Sequence, residues 1–356
     1  MSDAYEESAS AAMRWIFRSS EACQGEGSSH SYSYFLGWAK AYPETTGYLI
    51  PTLLDWAEVR RDERCQQLAV RFGQWLMRLQ RPEGSWAGGV VGGQRPSVFN
   101  TAMIVDGLST LATRRSDLGA AAESARLGVE WLLGALDAEG RWQRGLYVEG
   151  FLSAYYAYAV AAVLRTTLRL GLCEANTPLR CALRHYASYL NSEGYPTNSG
   201  LKPGLWAFTH TLAYALQGLW ELAIHYQDTD LQQRIALGCQ RLAADITKHR
   251  HIAGRYRRDW IGDHSFTCPV ANAQLSILFR IVGNHTRETA LSRWADFALK
   301  EAMIYQNKGT CSNTYGAIPG SVPIWGPYMR WRYPNWGAKF LLDALYAKGI
   351  EGKKTN

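Results

Sequence analysis

The chain has 356 residues, of which 47% are apolar, and its formal net charge is +7. This apolar content suffices for a large core and argues against disorder, and no segment is long and uncharged enough for a membrane span. The positive charge favours an anionic partner, but Lys and Arg form only short runs and no nucleic-acid motif is present, which argues against nucleic acid and leaves an acidic polysaccharide as a candidate.

Amphipathic segments alternate with more apolar segments along the whole chain. In the apolar segments, small and large apolar residues recur every three or four positions, as in Leu212, Leu216 and Leu219, which is the period of a helix. The alternation typical of strands is nearly absent. In chain order, we predict six apolar helices within residues 48–59, 98–113, 151–170, 206–225, 270–282 and 335–347.

The amphipathic segments end in a repeated motif. Gly84-Ser85-Trp86 ends one of them, and Gly140-Arg141-Trp142 ends the next, 56 residues further on. Weaker copies end at residues 194–195 and 254–256. Together with related segments near both ends of the sequence, they predict six helical hairpins with a period of about 56 residues.

Six hairpins of this length predict an all-α fold, an (α/α)6 toroid with the apolar helices inside. No linker interrupts the series, so we expect one domain over residues 1–350, followed by a flexible tail at 351–356. The long loops lead into the inner helices. We therefore expect them to gather at one rim and shape a cleft above the N-terminal ends of those helices.

The seven cysteines are odd in number and contain no Cys-x-x-Cys pair, which predicts reduced thiols without a disulfide framework or a zinc ribbon. The N-terminal segment has acidic residues where a signal peptide would have basic ones, so we expect a cytoplasmic protein. We expect neither a cofactor nor a metal ion. The oligomeric state stays open.

Residues 80–86 (QRPEGSW) resemble the Q-x-x-x-G-x-W repeat of the squalene-hopene cyclase and protein prenyltransferase toroids, and this resemblance implies the fold. It does not extend to their chemistry. The Asp-x-Asp-Asp run with which the cyclases protonate a polyene is missing. Asp263, His264 and Cys268 are of the types that bind zinc in prenyltransferases, but their order and spacing differ from that pattern.

Several loops and inner-helix starts resemble uncharacterised toroid proteins of bacterial exopolysaccharide gene clusters and, more distantly, the toroid domain of glucuronyl C5-epimerases. They are residues 42–48 (YPETTGY), 201–206 (LKPGLW) with 210–222, and 316–326 (GAIPGSVPIWG) with 333–336 (YPNW). This resemblance implies a carbohydrate-active enzyme of exopolysaccharide metabolism whose partner is an acidic oligo- or polysaccharide.

Residues at the starts of the inner helices should face a common cavity, where free N–H groups and helix dipoles suit an anionic sugar. We expect the catalytic groups to be among Glu44, His210, Asp259, Asp263, His264 and Tyr315. We expect substrate to contact Tyr48, Asn100, Glu149, Trp206, Asn272, Trp325, Arg330, Arg332, Asn335 and Trp336.

These residue types suit more than one mechanism. A lyase or C5-epimerase, our first hypothesis, neutralises a uronate carboxylate with Arg or Asn and removes the C5 proton with His or Tyr. A glycoside hydrolase instead needs two carboxylates, available from Glu44, Glu149, Asp259 and Asp263. A third hypothesis is a non-catalytic component that binds a glycan or polyprenyl chain. Structural roles are also open: Glu44 could cap a helix, and His210 could be a core histidine.

Overall fold

The computed structural model describes residues 3–310 and 313–354, with side chains as far as residue 349. Within these residues the chain forms twelve α-helices, with odd-numbered helices outside and even-numbered helices inside. They are α1 (Asp3–Glu21), α2 (Pro43–Arg60), α3 (Glu63–Leu79), α4 (Val98–Arg114), α5 (Gly119–Leu133), α6 (Ala157–Leu170), α7 (Asn176–Ala187), α8 (Thr209–His225), α9 (Thr229–His249), α10 (Pro269–Thr286), α11 (Thr289–Ile304) and α12 (Asn335–Lys354).

The inner helices form a closed ring. Each packs against the next, from α2 through α4, α6, α8 and α10 to α12, and α12 returns to α2. The predicted (α/α)6 toroid is therefore confirmed. One detail differs from the predicted hairpins, in which each outer helix is joined to the inner helix that follows it. Helix α3 packs more extensively on the preceding inner helix, α2, than on α4, and α1 pairs with α12. A two-residue turn joins α2 to α3, whereas a long loop separates α3 from α4.

The repeated Gly-x-Trp motif has a structural basis. Trp86 is buried and its Nε1 donates to the carbonyl oxygen of Leu76 at 2.7 Å. Trp142 is equally buried, and its Nε1 donates to Leu132 O at 3.1 Å. In both copies, the indole satisfies a carbonyl ten positions earlier, in the last turns of the preceding outer helix, whose final carbonyls lack partners within the helix. The motif thus fixes the turn at the end of an outer helix.

Local signals set the helix boundaries. Side chains of Asp62, Ser97 and Asp228 accept hydrogen bonds from backbone N–H groups two or three residues further on, at the starts of α3, α4 and α9. Inside the ring, α2 and α4 approach closely at Gly47 and Gly107. A Cβ atom on Gly107 would lie 2.1 Å from the carbonyl oxygen of Gly47, so this contact requires glycine.

In the described part of the chain, six short strands lie in the loops that lead into the inner helices. They are β1 (Ser31–Ser33), β2 (Gly37–Trp38), β3 (Ala207–Phe208), β4 (Arg255–Arg257), β5 (Ile261–Asp263) and β6 (Arg332–Pro334). They form two antiparallel sheets of the order β2-β1-β6 and β3-β4-β5. The sheets tie the loop before α2 to the loop before α12, and the loop before α8 to the loop before α10.

Three further expectations can be compared with this fold. Helix α12 continues to Lys354, so residues 351–354 of the expected flexible tail are helical, and residues 355 and 356 lie outside the described part. The six described cysteines are free, whereas Cys311 lies outside the described residues. Among the described helices, none has the length and hydropathy needed to cross a membrane.

Candidate functional site

A cavity of about 1220 Å³ opens at the rim where the loops lead into the inner helices, as the loop lengths predict. First turns of α2, α4, α8 and α12 contribute to its lining, and so do the residues just before α6. Loop residues 88–97 and 143–150 supply much of the remaining wall. Five of the residues expected at a site line this cavity: Glu44, Asn100, Glu149, His210 and Trp336.

Glu44 lies in the first turn of α2, in an aromatic recess of the cavity. The rings that line this recess are His30, Tyr42, Tyr155, Tyr214, Tyr328 and Trp336. The Tyr42 hydroxyl donates to its Oε2 at 2.5 Å. Burial raises the pKa of Glu44 from 4.5 to about 7, and the hydrogen bond from Tyr42 only partly opposes this shift. Burial also raises the pKa of Tyr155 and Tyr214, and the charge of Glu44 adds to both shifts. Near neutral pH, Glu44 can therefore donate or accept a proton.

His210 lies in the first turn of α8, on the opposite side of the inner ring from α2. Its Nδ1 is 2.6 Å from Oε1 of the buried Gln274. A side-chain carbonyl oxygen only accepts, so Nδ1 carries the hydrogen and Nε2 keeps a lone pair. Burial lowers the pKa of His210 to about 4, although the bond to Gln274 opposes this. The ring is thus a neutral base at neutral pH.

A series of aromatic contacts connects the surroundings of Glu44 with those of His210. The His30 ring lies 4.9 Å from Tyr42 and 5.0 Å from Trp336, measured between ring centroids. Trp336 Nε1 donates to the Tyr328 hydroxyl at 2.9 Å, and the Tyr328 ring lies 5.2 Å from His210. Burial, with a contribution from the charge of Arg332, lowers the pKa of His30 to about 4. The recess is therefore lined by flat, uncharged rings around Glu44.

The charged side chains of the cavity lie nearer its mouth. Arg95, Arg144 and Glu149 are exposed, and Glu83 is held by Arg81 Nε at 2.6 Å and by the Ser85 hydroxyl at 2.8 Å. The mouth thus offers two arginines to an anionic chain.

Asn100 is already engaged within the protein. Its Nδ2 donates to Ala87 O at 3.0 Å, and its Oδ1 accepts from Ser97 Oγ at 3.2 Å. Asn100 therefore shapes the wall and has little capacity left for a ligand.

Four expected site residues lie outside the cavity on or beside the β3-β4-β5 sheet. Asp259 is exposed near Arg258, and Asp263 accepts from Arg255 Nε at 2.9 Å. The other two are Trp206, whose ring lies beneath the guanidinium groups of Arg255 and Arg257, and His264, which contacts Asp245. Strand pairing carries this segment away from the helix starts, so these residues do not join Glu44 and His210.

A further group lies around α1 and the loop before α12, also outside the cavity. The Tyr315 hydroxyl accepts from Arg14 Nη2 at 2.9 Å. Trp325 is 57% exposed and packs on Trp331. Arg330 is exposed, and Arg332 extends from β6 towards the Ser31 hydroxyl at 3.4 Å.

The remaining three expected residues are buried in structural contacts. Tyr48 lies behind Glu44 with its hydroxyl 3.4 Å from Thr45 Oγ1. Asn272 pairs with the Thr267 hydroxyl at 3.3 Å. Asn335 accepts from Trp15 Nε1 at 2.9 Å. The two asparagines fasten loops to inner-helix starts.

Several lining residues were not predicted from the sequence. Tyr42 directly precedes α2 and Tyr155 lies two residues before α6, so the rule that selected Glu44 could have included them. Tyr214 lies one turn after His210 and could have been found from helical spacing. His30 and Tyr328 belong to loops, and no local signal places them beside the recess.

No protein-family model matches the sequence, and no curated protein matches it. Solved structures do have this fold. An unsaturated glucuronyl hydrolase specific for heparin is 14% identical, with a TM-score of 0.76 over 99% of both chains. Cellobiose 2-epimerase from Bacillus thermoamylovorans is 11% identical, with a TM-score of 0.75 over 97% of this chain and 99% of that one. An alpha-amylase from Clostridium perfringens is 12% identical, with a TM-score of 0.67 over 96% and 97%. The chain therefore shares the α/α toroid fold of these carbohydrate enzymes.

Proposed function

We propose that this protein is a carbohydrate-active enzyme that removes the C5 proton of a uronate residue in an acidic oligo- or polysaccharide, as an epimerase or a lyase. The observation that carries the proposal is the pairing, in one aromatic recess, of a carboxyl with a pKa of about 7 and an imidazole with a pKa of about 4. Between these values, Glu44 is protonated while His210 is a free base, which is the state that acid and base catalysis requires.

In this mechanism Nε2 of His210 takes the C5 proton. The electron pair of the broken C–H bond spreads into the uronate carboxylate, and a hydrogen bond from protonated Glu44 or a charge from Arg95 or Arg144 stabilises that anion. In an epimerase, Glu44 then returns a proton to the opposite face of C5. In a lyase, the pair instead forms the C4–C5 double bond while the C4–O bond breaks and the leaving oxygen takes the proton of Glu44.

The positions of Glu44 and His210 support proton transfer on opposite faces of a sugar ring. Helices α2 and α8 stand opposite each other in the ring of six inner helices, and Glu44 and His210 lie in their first turns. A sugar ring inserted between these helices has the acid on one side and the base on the other, which inversion at C5 requires. The epimerase is therefore the preferred form of the proposal.

The lining of the recess suits a sugar ring. The faces of Tyr155, Tyr328 and Trp336 offer flat apolar surfaces, and the hydroxyls of Tyr42 and Tyr328 offer polar groups. Two arginines at the mouth suit the acidic groups of an extended chain. A role in exopolysaccharide metabolism is part of the proposal and rests on the sequence resemblance at residues 42–48, 201–206, 210–222, 316–326 and 333–336.

Glycoside hydrolysis is the second candidate. A carboxyl whose pKa is raised by burial suits a general acid, and Glu83 and Glu149 line the same cavity as possible second carboxylates. Glu83 is already bound to Arg81 and Ser85, which leaves the exposed Glu149 as the better partner.

The test is a panel of uronate-containing oligo- and polysaccharides assayed in three ways. Solvent deuterium at C5 without cleavage identifies an epimerase, ultraviolet absorbance of an unsaturated uronate identifies a lyase, and new reducing ends without unsaturation identify a hydrolase. His210→Gln and Glu44→Gln should lower the rate of the reaction by about 10²- to 10⁴-fold, whereas Asp263→Asn and Tyr315→Phe, outside the cavity, should leave it unchanged. Binding without any reaction would instead support a non-catalytic glycan-binding component.

A further inference from the structure

A second cluster of titratable side chains lies away from the cavity, where the β4–β5 hairpin packs on the C-terminal end of α9. Asp245 and His249 are four residues apart on α9 and therefore share one face of the helix. His264 directly follows β5. One ligand atom from each of these three residues lies within 4.8 Å of the other two. Sequence-distant segments thus direct two imidazoles towards one carboxylate.

The spacing of these atoms suits a metal ion. Nε2 of His264 is 3.3 Å from Asp245 Oδ1, and Nε2 of His249 is 3.6 Å from the same oxygen. Two ligand atoms that each lie about 2.1 Å from a tetrahedral zinc ion are about 3.4 Å apart. A small adjustment of side-chain torsions would therefore bring all three atoms into one coordination sphere.

The surroundings of the cluster support this interpretation. The Tyr256 hydroxyl donates to Asp245 Oδ2 at 2.8 Å, as an outer group commonly orients a metal-binding carboxylate. The rings of His249 and His264 are stacked with centroids 3.9 Å apart. The side chains of Asp245, His264 and His249 are 12%, 20% and 37% exposed, so a cation can reach them from solvent. The His251 ring lies 5.9 Å from that of His264, near enough to offer a further ligand after rotation.

We propose that Asp245, His249 and His264 bind one divalent transition-metal ion. Two imidazoles and one carboxylate are the donors that zinc prefers, whereas magnesium and calcium prefer sets composed of oxygen. This site differs from the expectation that the protein binds no metal. It also differs from the residue set suggested by the prenyltransferase comparison, because Asp263 pairs with Arg255 and Cys268 is buried at the start of α10.

The position of the ion implies a structural role. None of its three ligands lines the cavity, so the metal does not take part in the proposed reaction. It joins α9 to the segment after β5, and Tyr256 in the adjacent β4 pairs with Ala207 of β3. Strand β3 leads directly into α8, whose second residue is His210. The ion would therefore fasten the sheet that supports one wall of the recess.

The first measurement is metal binding to protein without an affinity tag, after removal of metals with a chelator. We expect one equivalent of Zn²⁺ by calorimetry and elemental analysis, and Co²⁺ should give the visible absorption of a site with nitrogen and oxygen ligands. His249→Gln, His264→Gln and Asp245→Asn should lose this equivalent, and His285→Gln, on α10, should keep it. Because His249 is the most exposed ligand, its variant separates metal binding from folding.

Two further variants make the test sharper. Tyr256→Phe keeps the buried ring but removes the hydrogen bond to Asp245, so zinc affinity should fall about 10- to 100-fold. Zinc should raise the thermal unfolding temperature of the wild-type protein and leave that of His249→Gln unchanged. The proposal is overturned if the wild-type protein binds no stoichiometric zinc, or if the His249→Gln and His264→Gln variants bind it as tightly as the wild type.

Discussion

Replacing Glu44 with Gln should stabilise the protein at alkaline pH and leave it nearly unchanged at acidic pH. Below pH 4.5, the carboxyl is protonated in both the folded and the unfolded chain, so its burial has no ionic cost. As pH rises, the unfolded chain ionises near 4.5 and the folded chain only near 7. A pKa difference of this size corresponds to about 3 kcal/mol, which the wild-type free energy of unfolding loses by pH 8.

Gln cannot ionise, and its Oε1 can still accept the hydrogen bond from Tyr42. We therefore expect the free energy of unfolding of Glu44→Gln to exceed that of the wild type by about 2–3 kcal/mol at pH 8 and by little at pH 4.5. Urea unfolding followed by tryptophan fluorescence measures this difference across the pH range. His30 and His210 titrate in both proteins, so their contributions cancel. Glu149→Gln, an exposed carboxyl of the same cavity, is the control and should show no such rise. A Glu44→Gln difference that stays constant with pH would refute the assignment of a partly buried, late-ionising carboxyl.

Four other predictions concern catalysis and packing. The rate of the proposed reaction should be highest between pH 4 and 7, because His210 loses its basicity below about 4 and Glu44 loses its proton above about 7. A rate that rises through pH 7 would instead make Glu44 the base. His210→Gln should lower turnover by about 10²- to 10⁴-fold with an unchanged circular dichroism spectrum, and an active variant would remove His210 from the mechanism. Gly107→Ala should lower the free energy of unfolding in urea by about 1–3 kcal/mol, because its Cβ would lie 2.1 Å from a carbonyl oxygen of α2. Gly119→Ala, where nothing lies within 4 Å of the added atom, is its control and should be neutral or slightly stabilising. Trp86→Ala should lower the free energy of unfolding by about 3–5 kcal/mol. A much smaller loss in thermal and urea unfolding would show that the Gly-x-Trp turn is not needed for stability.

The fold could be predicted because its signals are local. Helical periodicity defines the inner helices, and the Gly-x-Trp motif recurs because Trp86 and Trp142 make the same hydrogen bond in successive outer helices. The pairing of α1 with α12 and the short strands could not be predicted in this way. They depend on contacts between segments far apart in the sequence, such as Tyr32 opposite Tyr333.

The site divides along the same line. Glu44, His210 and Trp336 lie in first turns of inner helices, and helix geometry alone directs such residues to the rim. Asp263 and His264 also precede an inner helix, but the pairing of β4 with β5 carries them to the outer side. Sequence spacing does not contain that information, because the partner strand determines where a loop residue points.

The closure of the ring has a consequence for how the protein acquires activity during synthesis. The contact between Ser8 and Gln306 spans 298 residues, and that between Trp15 and Asn335 spans 320. The earlier hairpins can pack in order as they leave the ribosome, but the recess is incomplete until Tyr328 and Trp336 arrive with α12. Until then, the apolar faces of α2 and α10 that α12 later covers remain exposed. Ring closure over so long a separation is entropically costly, so it should be the slow step of folding and the stage most prone to aggregation.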